Sequence, residues 1–170
     1  MFGPHDYNTG YRLFPKSLSR IFDPVAPAPP VLYYESIEHW RDYVYIDDVV
    51  TALLTLATHE AARGEAFNMA HAIHVSTPEL LKLLVSASVD LVALTDPDRA
   101  KVIENNRILI STAEQSALTI KRQHLDSTKI TNLPGFNPSV PFELGLARTV
   151  AFHSEVPLRS HPDLEVHYAR

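Results

Sequence analysis

Residues 41–57 constrain the fold most, because a strand pattern passes directly into a helical pattern there. Residues 43–46 are aromatic and β-branched, which predicts a short strand. Asp47 and Asp48 follow, and a carboxylate at a helix start accepts the free amide protons of the first turn. Apolar residues then recur at helical spacing until Gly64. We therefore predict a strand–helix unit with this acidic pair as helix caps, since adjacent side chains on a helix start diverge too far for paired acid–base work.

The rest of the chain alternates helical and strand patterns. Ser76 and Glu79 stand at capping-box spacing, which predicts a helix start. Residues 23–30 form a proline–alanine linker, and residues 89–116 are interpreted as loop with a strand around residues 108–110. The other predicted helices cover residues 13–22, 48–62, 126–132 and 141–153, and the other predicted strands cover residues 31–34 and 65–70.

Composition excludes several classes of function. The chain has 170 residues, 45% hydrophobic and 21% charged, which fits one globular domain. The net charge is −5 and the basic residues are scattered, which argues against binding nucleic acid or a membrane surface. No secretory signal or bilayer-length apolar run occurs, so we expect a soluble, cytoplasmic protein.

Hydrolase and metal chemistry find little support in the sequence. There is no cysteine and no Gly-x-Ser-x-Gly motif, which argues against thiol and serine nucleophiles. His71 and His74 form a close histidine pair, but the sequence places no third ligand beside them and contains no His-Glu-x-x-His helix. We therefore expect no metal site.

Several short motifs share the order and spacing of one enzyme family. They are Phe-Gly-Pro at 2–4, Arg-Leu-Phe-Pro at 12–15, Arg-Asp-Tyr-Val-Tyr-Ile-Asp-Asp-Val-Val at 41–50, Gly-Glu-Ala-Phe-Asn at 64–68, Asp-Ser-Thr-Lys at 126–129, Leu-Pro-Gly-Phe-Asn-Pro at 133–138 and Glu-Leu-Gly-Leu at 143–146. Together they resemble the second half of the extended short-chain dehydrogenase/reductases, in particular the NAD-dependent NDP-sugar 4-epimerases and the CDP- or dTDP-glucose 4,6-dehydratases.

The resemblance implies a fold and a domain organisation. We expect an α/β fold that is the C-terminal part of an NAD(P)-binding Rossmann-type extended enzyme, mainly the small mixed α/β substrate domain plus an edge strand of the parallel sheet. Residues 1–156 would form the substrate-binding portion and residues 157–170 a polar tail. The family's glycine-rich turn and Tyr-x-x-x-Lys pair do not occur in the sequence. The resemblance places both upstream of Met1, so the dinucleotide-binding domain is expected to be absent.

The resemblance also implies which residues contact a nucleotide sugar. Arginine forks suit a pyrophosphate, and the family has one at the position of Arg41. The expected contacts are Arg41 to the pyrophosphate, Arg122 to a phosphate with Arg107 as its rival, Arg12 to phosphate or ribose, Leu13 and Tyr34 to the base, and Asn68 near the nucleotide. The alternative for each arginine is a surface position or an ion pair, and for the others packing in the core.

The function implied is binding of a nucleotide diphosphate sugar without turnover by this chain alone. NAD(P) would be the cofactor of the parent enzyme and would not bind to this chain. A separate dinucleotide-binding half, or self-association, is the expected protein partner. The alternative is a non-catalytic nucleotide-sugar or protein-binding module derived from the family.

Overall fold

The structure is a computed structural model that describes residues 1–70, 73–112 and 120–155. Its helices are α1 (Leu13–Ile21), α2 (Ile46–Thr58), α3 (Thr77–Ala93), α4 (Pro97–Asn105), α5 (Thr128–Thr131) and α6 (Phe142–Ser154). Its strands are β1 (Val31–Tyr33), β2 (Trp40–Tyr43), β3 (Ile73–Ser76) and β4 (Leu109–Ser111). The polar tail expected at residues 157–170 lies outside the described residues.

The strands form two pairs of opposite type. β1 runs parallel to β4, with Val31 opposite Leu109. β2 runs antiparallel to β3, with Trp40 opposite Ser76 and Tyr43 opposite Ile73. Parallel and antiparallel pairs joined by helices make a mixed α/β fold, so the predicted fold class is confirmed.

Residues 89–116 are more helical than predicted. The Ser76 hydroxyl accepts a hydrogen bond from the Glu79 amide at 3.4 Å, as the capping-box spacing indicates, but α3 then continues to Ala93. Leu91 and Val92 are buried, which supplies the packing that extends it. Asp96 does not form a turn, because its carboxylate accepts a hydrogen bond from the Arg99 amide at 2.9 Å and starts α4.

The strand-to-helix step lies earlier than predicted. β2 ends at Tyr43, residue 45 makes a single bridge to Phe2, and α2 begins at Ile46. The predicted caps are wrong, because residue 45 holds the N-cap position and both acids fall inside the first turn. The buried Asp48 accepts a hydrogen bond from the Ser139 amide at 2.9 Å, and the Asp47 carboxylate lies 3.6 Å from Arg148.

The predicted strand at residues 65–70 is also wrong, since these residues have no strand partner within the described chain. Side chains from the start of α5 hold the segment instead. The Lys129 ammonium donates to the Glu65 carboxylate at 2.7 Å and to the carbonyl of residue 66 at 2.9 Å. The Ser127 hydroxyl donates to the Ala70 carbonyl at 2.7 Å. The motif at residues 126–129 therefore holds the segment that contains the motif at residues 64–68 through these hydrogen bonds.

Two apolar cores stabilise the chain. The larger joins α1, α3 and α6 to the Phe2 turn, where the Phe2 ring stacks on Phe14 at 4.7 Å. The smaller packs α2 on the α5 region through Ala52, Ile130, Leu133 and Phe136. Among the described residues, no helix combines the length and apolarity that crossing a membrane requires.

Candidate functional site

A cavity of ≈ 280 Å³ lies between α1 and one face of β2. Successive side chains of a strand point to opposite faces, so Arg41 and Tyr43 share one face, while Trp40 and Asp42 share the other. α1 contributes Leu13 to the same cavity. The lining residues are Tyr11, Leu13, Lys16, Ser17, Val31, Tyr33, Ser36, His39, Arg41, Tyr43 and Thr77.

Arg41 is fixed at one end of its guanidinium group. Its Nη1 donates to the Trp40 carbonyl at 2.8 Å and to the Lys121 carbonyl at 3.2 Å. These are its hydrogen bonds within the described chain, and neither uses Nε or Nη2. A held guanidinium with donors to spare loses little side-chain freedom on binding and suits a phosphate oxygen.

Lys16 brings a second cation to the cavity. Its ammonium donates to the Tyr33 hydroxyl at 2.8 Å and lies 4.9 Å from the centre of that ring. The tyrosine therefore orients the lysine through both a hydrogen bond and its ring face. The lysine and Arg41 give the cavity two positive charges on separate elements.

The pKa values of two titratable side chains in the cavity reflect both burial and these positive charges. Burial lowers the pKa of His39, the positive charges of Arg41 and Lys121 lower it further, and Glu35 and Glu38 oppose them. Burial raises the pKa of Tyr43 to about 12, with Arg41 acting against it. At neutral pH the tyrosine hydroxyl is therefore protonated, which suits hydrogen-bond donation to an anion rather than proton abstraction.

The predicted site residues separate into two groups. Leu13 and Arg41 line the cavity. Arg12 borders a different hollow near Met1, where its guanidinium lies 3.8 Å from Asp6. Outside the cavity lie Tyr34, Asn68, Arg107 and Arg122, all of them exposed.

Sequence reasoning missed Lys16, Tyr33, His39 and Tyr43. Two signals could have found three of them. Lys16 stands three residues after Leu13, which places both on one face of α1. His39 and Tyr43 each stand two residues from Arg41, which is the spacing of one strand face. The choice of Tyr33 over Tyr34 depends on where β1 ends, which the sequence did not settle.

A second polar cluster lies on the other face of β2 and could hold a metal ion. Asp42, His74 and His124 each offer one ligand atom, and these atoms lie within 4.8 Å of one another. Burial alone would raise the pKa of Asp42, but hydrogen bonds from the Leu125 amide, His124 and His74 outweigh it and hold that pKa below its usual value. His71, which sequence reasoning had paired with His74, lies outside the described residues.

Comparison with known sequences points to one family. Residues 1–70 match the NAD dependent epimerase/dehydratase family. The UDP-glucose 4-epimerase of Mycolicibacterium smegmatis is 30% identical over 112 residues, which is 66% of this chain and 30% of that protein.

Solved structures share the fold. An epimerase from Methanothermobacter thermautotrophicus aligns over 91% of this chain and 40% of its own, with a TM-score of 0.69 and 21% identity. The UDP-glucose 4-epimerase of Thermotoga maritima with UDP-glucose aligns over 91% and 43%, with a TM-score of 0.63 and 24% identity. The dTDP-glucose 4,6-dehydratase of Bacillus anthracis with NAD aligns over 96% and 43%, with a TM-score of 0.64 and 18% identity.

This chain therefore spans less than half the length of each of these relatives. The predicted resemblance to the NAD-dependent epimerase/dehydratase family is confirmed, in sequence over residues 1–70 and in fold over most of the chain.

Proposed function

We propose that this chain forms the nucleotide-sugar-binding portion of an NAD(P)-dependent NDP-sugar epimerase or 4,6-dehydratase. The observation that carries the proposal is the pairing of Arg41 and Lys16 in one cavity beside apolar and aromatic side chains. A nucleotide diphosphate sugar offers a doubly charged pyrophosphate flanked by a base and a sugar. Cations with adjoining apolar surface match that distribution of charge.

Each group has a distinct part in the proposed complex. The free donors of Arg41 bind pyrophosphate oxygens as a fork, and Lys16 adds a point charge. Leu13 and Tyr33 offer packing surface to the base or sugar. Tyr43, whose pKa is about 12, donates a hydrogen bond from its hydroxyl.

The described strand-to-helix steps of this chain do not suit a dinucleotide cofactor. NAD(P) binds where a glycine-rich turn between a strand and a helix lets backbone amides approach the pyrophosphate. The described strand-to-helix steps, at residues 43–46 and 76–77, contain no glycine. NAD(P) would supply hydride transfer to and from the sugar in the parent reaction. We assign its binding to a separate dinucleotide-binding unit, and we propose that this chain alone binds the nucleotide sugar without converting it.

Titration calorimetry with UDP, UDP-glucose and dTDP-glucose tests the proposal. Replacing Arg41→Ala should weaken binding by about 1.5–3 kcal/mol, the scale of a lost charge-assisted hydrogen bond. Arg63→Ala is the matched control, because that guanidinium is exposed, lies 3.8 Å from Glu60 and does not line the cavity. Equal affinities for wild type and the Arg41 variant, or no binding of any of the three ligands, would contradict the proposed function.

A further inference from the structure

Strand register places Asp42 and His74 side by side. In the antiparallel pair of β2 and β3 these residues are direct partners, so their side chains project from the same face. Directly opposed residues have Cβ atoms about 4.5–5.5 Å apart, within reach of a shared ligand. The Arg41 cavity lies on the other face, so this cluster is separate from the proposed nucleotide site.

A parallel segment adds His124 to the pair. Residue 122 forms a parallel bridge with Trp40, the Trp40 amide donates to the Lys121 carbonyl at 2.8 Å, and the Gln123 amide donates to the Trp40 carbonyl at 3.1 Å. Two residues further along both segments of the chain, this register brings His124 beside Asp42. Three separate segments therefore each contribute one side chain.

Both histidine side chains already contact the Asp42 carboxylate. Oδ1 of Asp42 lies 2.7 Å from Nδ1 of His74 and 3.1 Å from Nδ1 of His124. The Leu125 amide donates to Oδ2 at 2.6 Å, and only 7% of the carboxylate side chain is exposed. The His74 ring also stacks on Trp40, with ring centres 5.5 Å apart. The cluster is therefore held in place before any ligand arrives.

We propose that Asp42, His74 and His124 bind a divalent transition-metal ion of the zinc type. Two imidazole nitrogens and one carboxylate oxygen are a ligand set that zinc, cobalt and nickel accept. Zinc holds these atoms at about 2.0–2.2 Å in a tetrahedron, which sets neighbouring donors roughly 3.3 Å apart. The observed 2.7 and 3.1 Å separations need to widen only slightly, and the imidazole ligand atoms, which lie within 4.8 Å of each other, can adjust because the His124 ring is exposed.

The ion would join elements that are distant in sequence. It would tie the segment at residues 121–125 to the β2–β3 pair, and the exposed edges of the two imidazoles leave the fourth position open to water. An ion that binds only the folded chain raises its thermal stability. Each imidazole binds the ion through an unprotonated Nδ1, so a neutral ring must carry its proton on Nε2.

The test is calorimetry of the full 170-residue chain, freed of its affinity tag and stripped with chelator, titrated with zinc chloride and with cobalt chloride. We expect one saturable site for each metal and a higher melting temperature with zinc. His124→Ala is the main variant, because 73% of that side chain is exposed and its loss should not disturb folding. It should weaken zinc binding at least tenfold and remove the rise in melting temperature. Asp42→Asn, which keeps an acceptor for the Leu125 amide, should weaken binding to a similar extent.

Two further variants locate the ion. His59→Ala controls for adventitious binding to histidine, and His71→Ala tests the neighbour of His74 in sequence. Both should keep the wild-type affinity. The proposal is overturned if neither metal gives a saturable site, if His124→Ala and Asp42→Asn bind zinc as tightly as wild type, or if His71→Ala rather than His124→Ala removes the site.

Discussion

Residues 39–43, which comprise β2 and the residue before it, contribute side chains to two different sites on opposite faces of the strand. His39, Arg41 and Tyr43 contribute to the cationic cavity, while Trp40 and Asp42 belong to the histidine–carboxylate cluster. Because the side-chain period of a strand is two, a shift of register by one residue would exchange these faces. The Trp40–Ser76 and Tyr43–Ile73 pairings fix that register, so both sites depend on the same ladder.

Binding of a nucleotide diphosphate should raise the pKa of His39. Burial and then the charges of Arg41 and Lys121 hold this pKa down in the free chain, and an anion beside Arg41 opposes those charges. NMR titration of the imidazole signals against pH, without and with saturating UDP, measures the change. His153 does not line the cavity and serves as the internal reference. An unchanged His39 titration in the saturated protein would place the nucleotide elsewhere.

Gly145→Ala should destabilise the chain. An added Cβ at this position in α6 meets the buried Tyr45 ring at 2.7 Å from Cδ2. Such overpacking costs about 1–3 kcal/mol, and the better helix propensity of alanine returns roughly 1 kcal/mol of it. We expect the free energy of unfolding in urea to fall by up to about 2 kcal/mol. Gly10→Ala is the control, because its nearest neighbour lies 3.8 Å away; equal losses in both variants would argue against the close approach.

At the scale of helices and strands, hydrophobic periodicity and capping signals predicted the elements whose boundaries depend on local sequence. α1 and α6 appear within two residues of their predicted ends, because their apolar spacing agrees with their packing. α4 was missed because Asp96 and Pro97 suit both a turn and a helix start, and burial of Ala100 and Ile103 decides between them. The strand predicted at residues 65–70 was wrong because strand pairing is non-local, and here Lys129 and Ser127 satisfy the backbone instead.

The candidate sites were predictable to different degrees. Arg41 was predicted as a ligand contact because its motif is long and specific; it lines the cavity, and its role there stays a prediction. His39 and Lys16 carry no motif, so the sequence offers only their spacing from Arg41 and Leu13 as a signal. The cluster at Asp42 could not be predicted from the sequence, because His124 follows the carboxylate by 82 residues and meets it through a parallel bridge.

Acid should destabilise α6 through His153. Burial lowers the pKa of this imidazole, Asp6 partly opposes the shift, and Nε2 is buried without a hydrogen-bond partner in the described chain. The folded chain therefore binds fewer protons than the unfolded chain, whose histidine titrates at its ordinary value of 6.5. The stability is fully present above pH 6.5 and is lost as the pH falls towards the lower folded-state pKa.

Urea unfolding of wild type and His153→Leu between pH 8 and pH 5 measures this contribution. At pH 8 both side chains are neutral, so any difference there reflects packing alone. Below pH 6.5 the wild type should lose stability more steeply than the variant. Parallel curves over the whole range would show that His153 is not held neutral by the fold.

At the scale of the whole molecule, α2 leaves an apolar face uncovered. Ala52 packs into the smaller core, while Val50, Leu53 and Leu54 are 47%, 61% and 66% exposed. Their spacing of three and four residues places them on one side of the helix. The exposed Leu109 and Ile110 of β4 add apolar surface at the edge of a two-stranded sheet. Exposed apolar surface of this kind promotes association.

The chain should therefore self-associate as its concentration rises. The resemblance predicts uncovered apolar surface at a strand over residues 66–69 and on helix faces such as that of residues 48–62; the structure has no strand at 66–69, and its exposed apolar side chains lie on α2 and β4. Replacing Leu53→Glu and Leu54→Lys together should shift the chain towards monomer, because charges oppose the burial of that face and neither side chain contributes to a described core.

Light scattering at several concentrations, combined with thermal unfolding, measures the effect. The double variant leaves the net charge unchanged; Lys82→Glu, a charge change at an exposed position of α3, is the control for altered surface charge and should leave association unchanged. A wild-type chain that stays a monodisperse monomer and unfolds cooperatively at high temperature would contradict the prediction. The two apolar cores would then be sufficient to stabilise the fold, although apolar side chains of α2 and β4 remain exposed to solvent. The 170 residues would then be a self-sufficient domain, which favours a non-catalytic nucleotide-sugar or protein-binding module over one half of an enzyme.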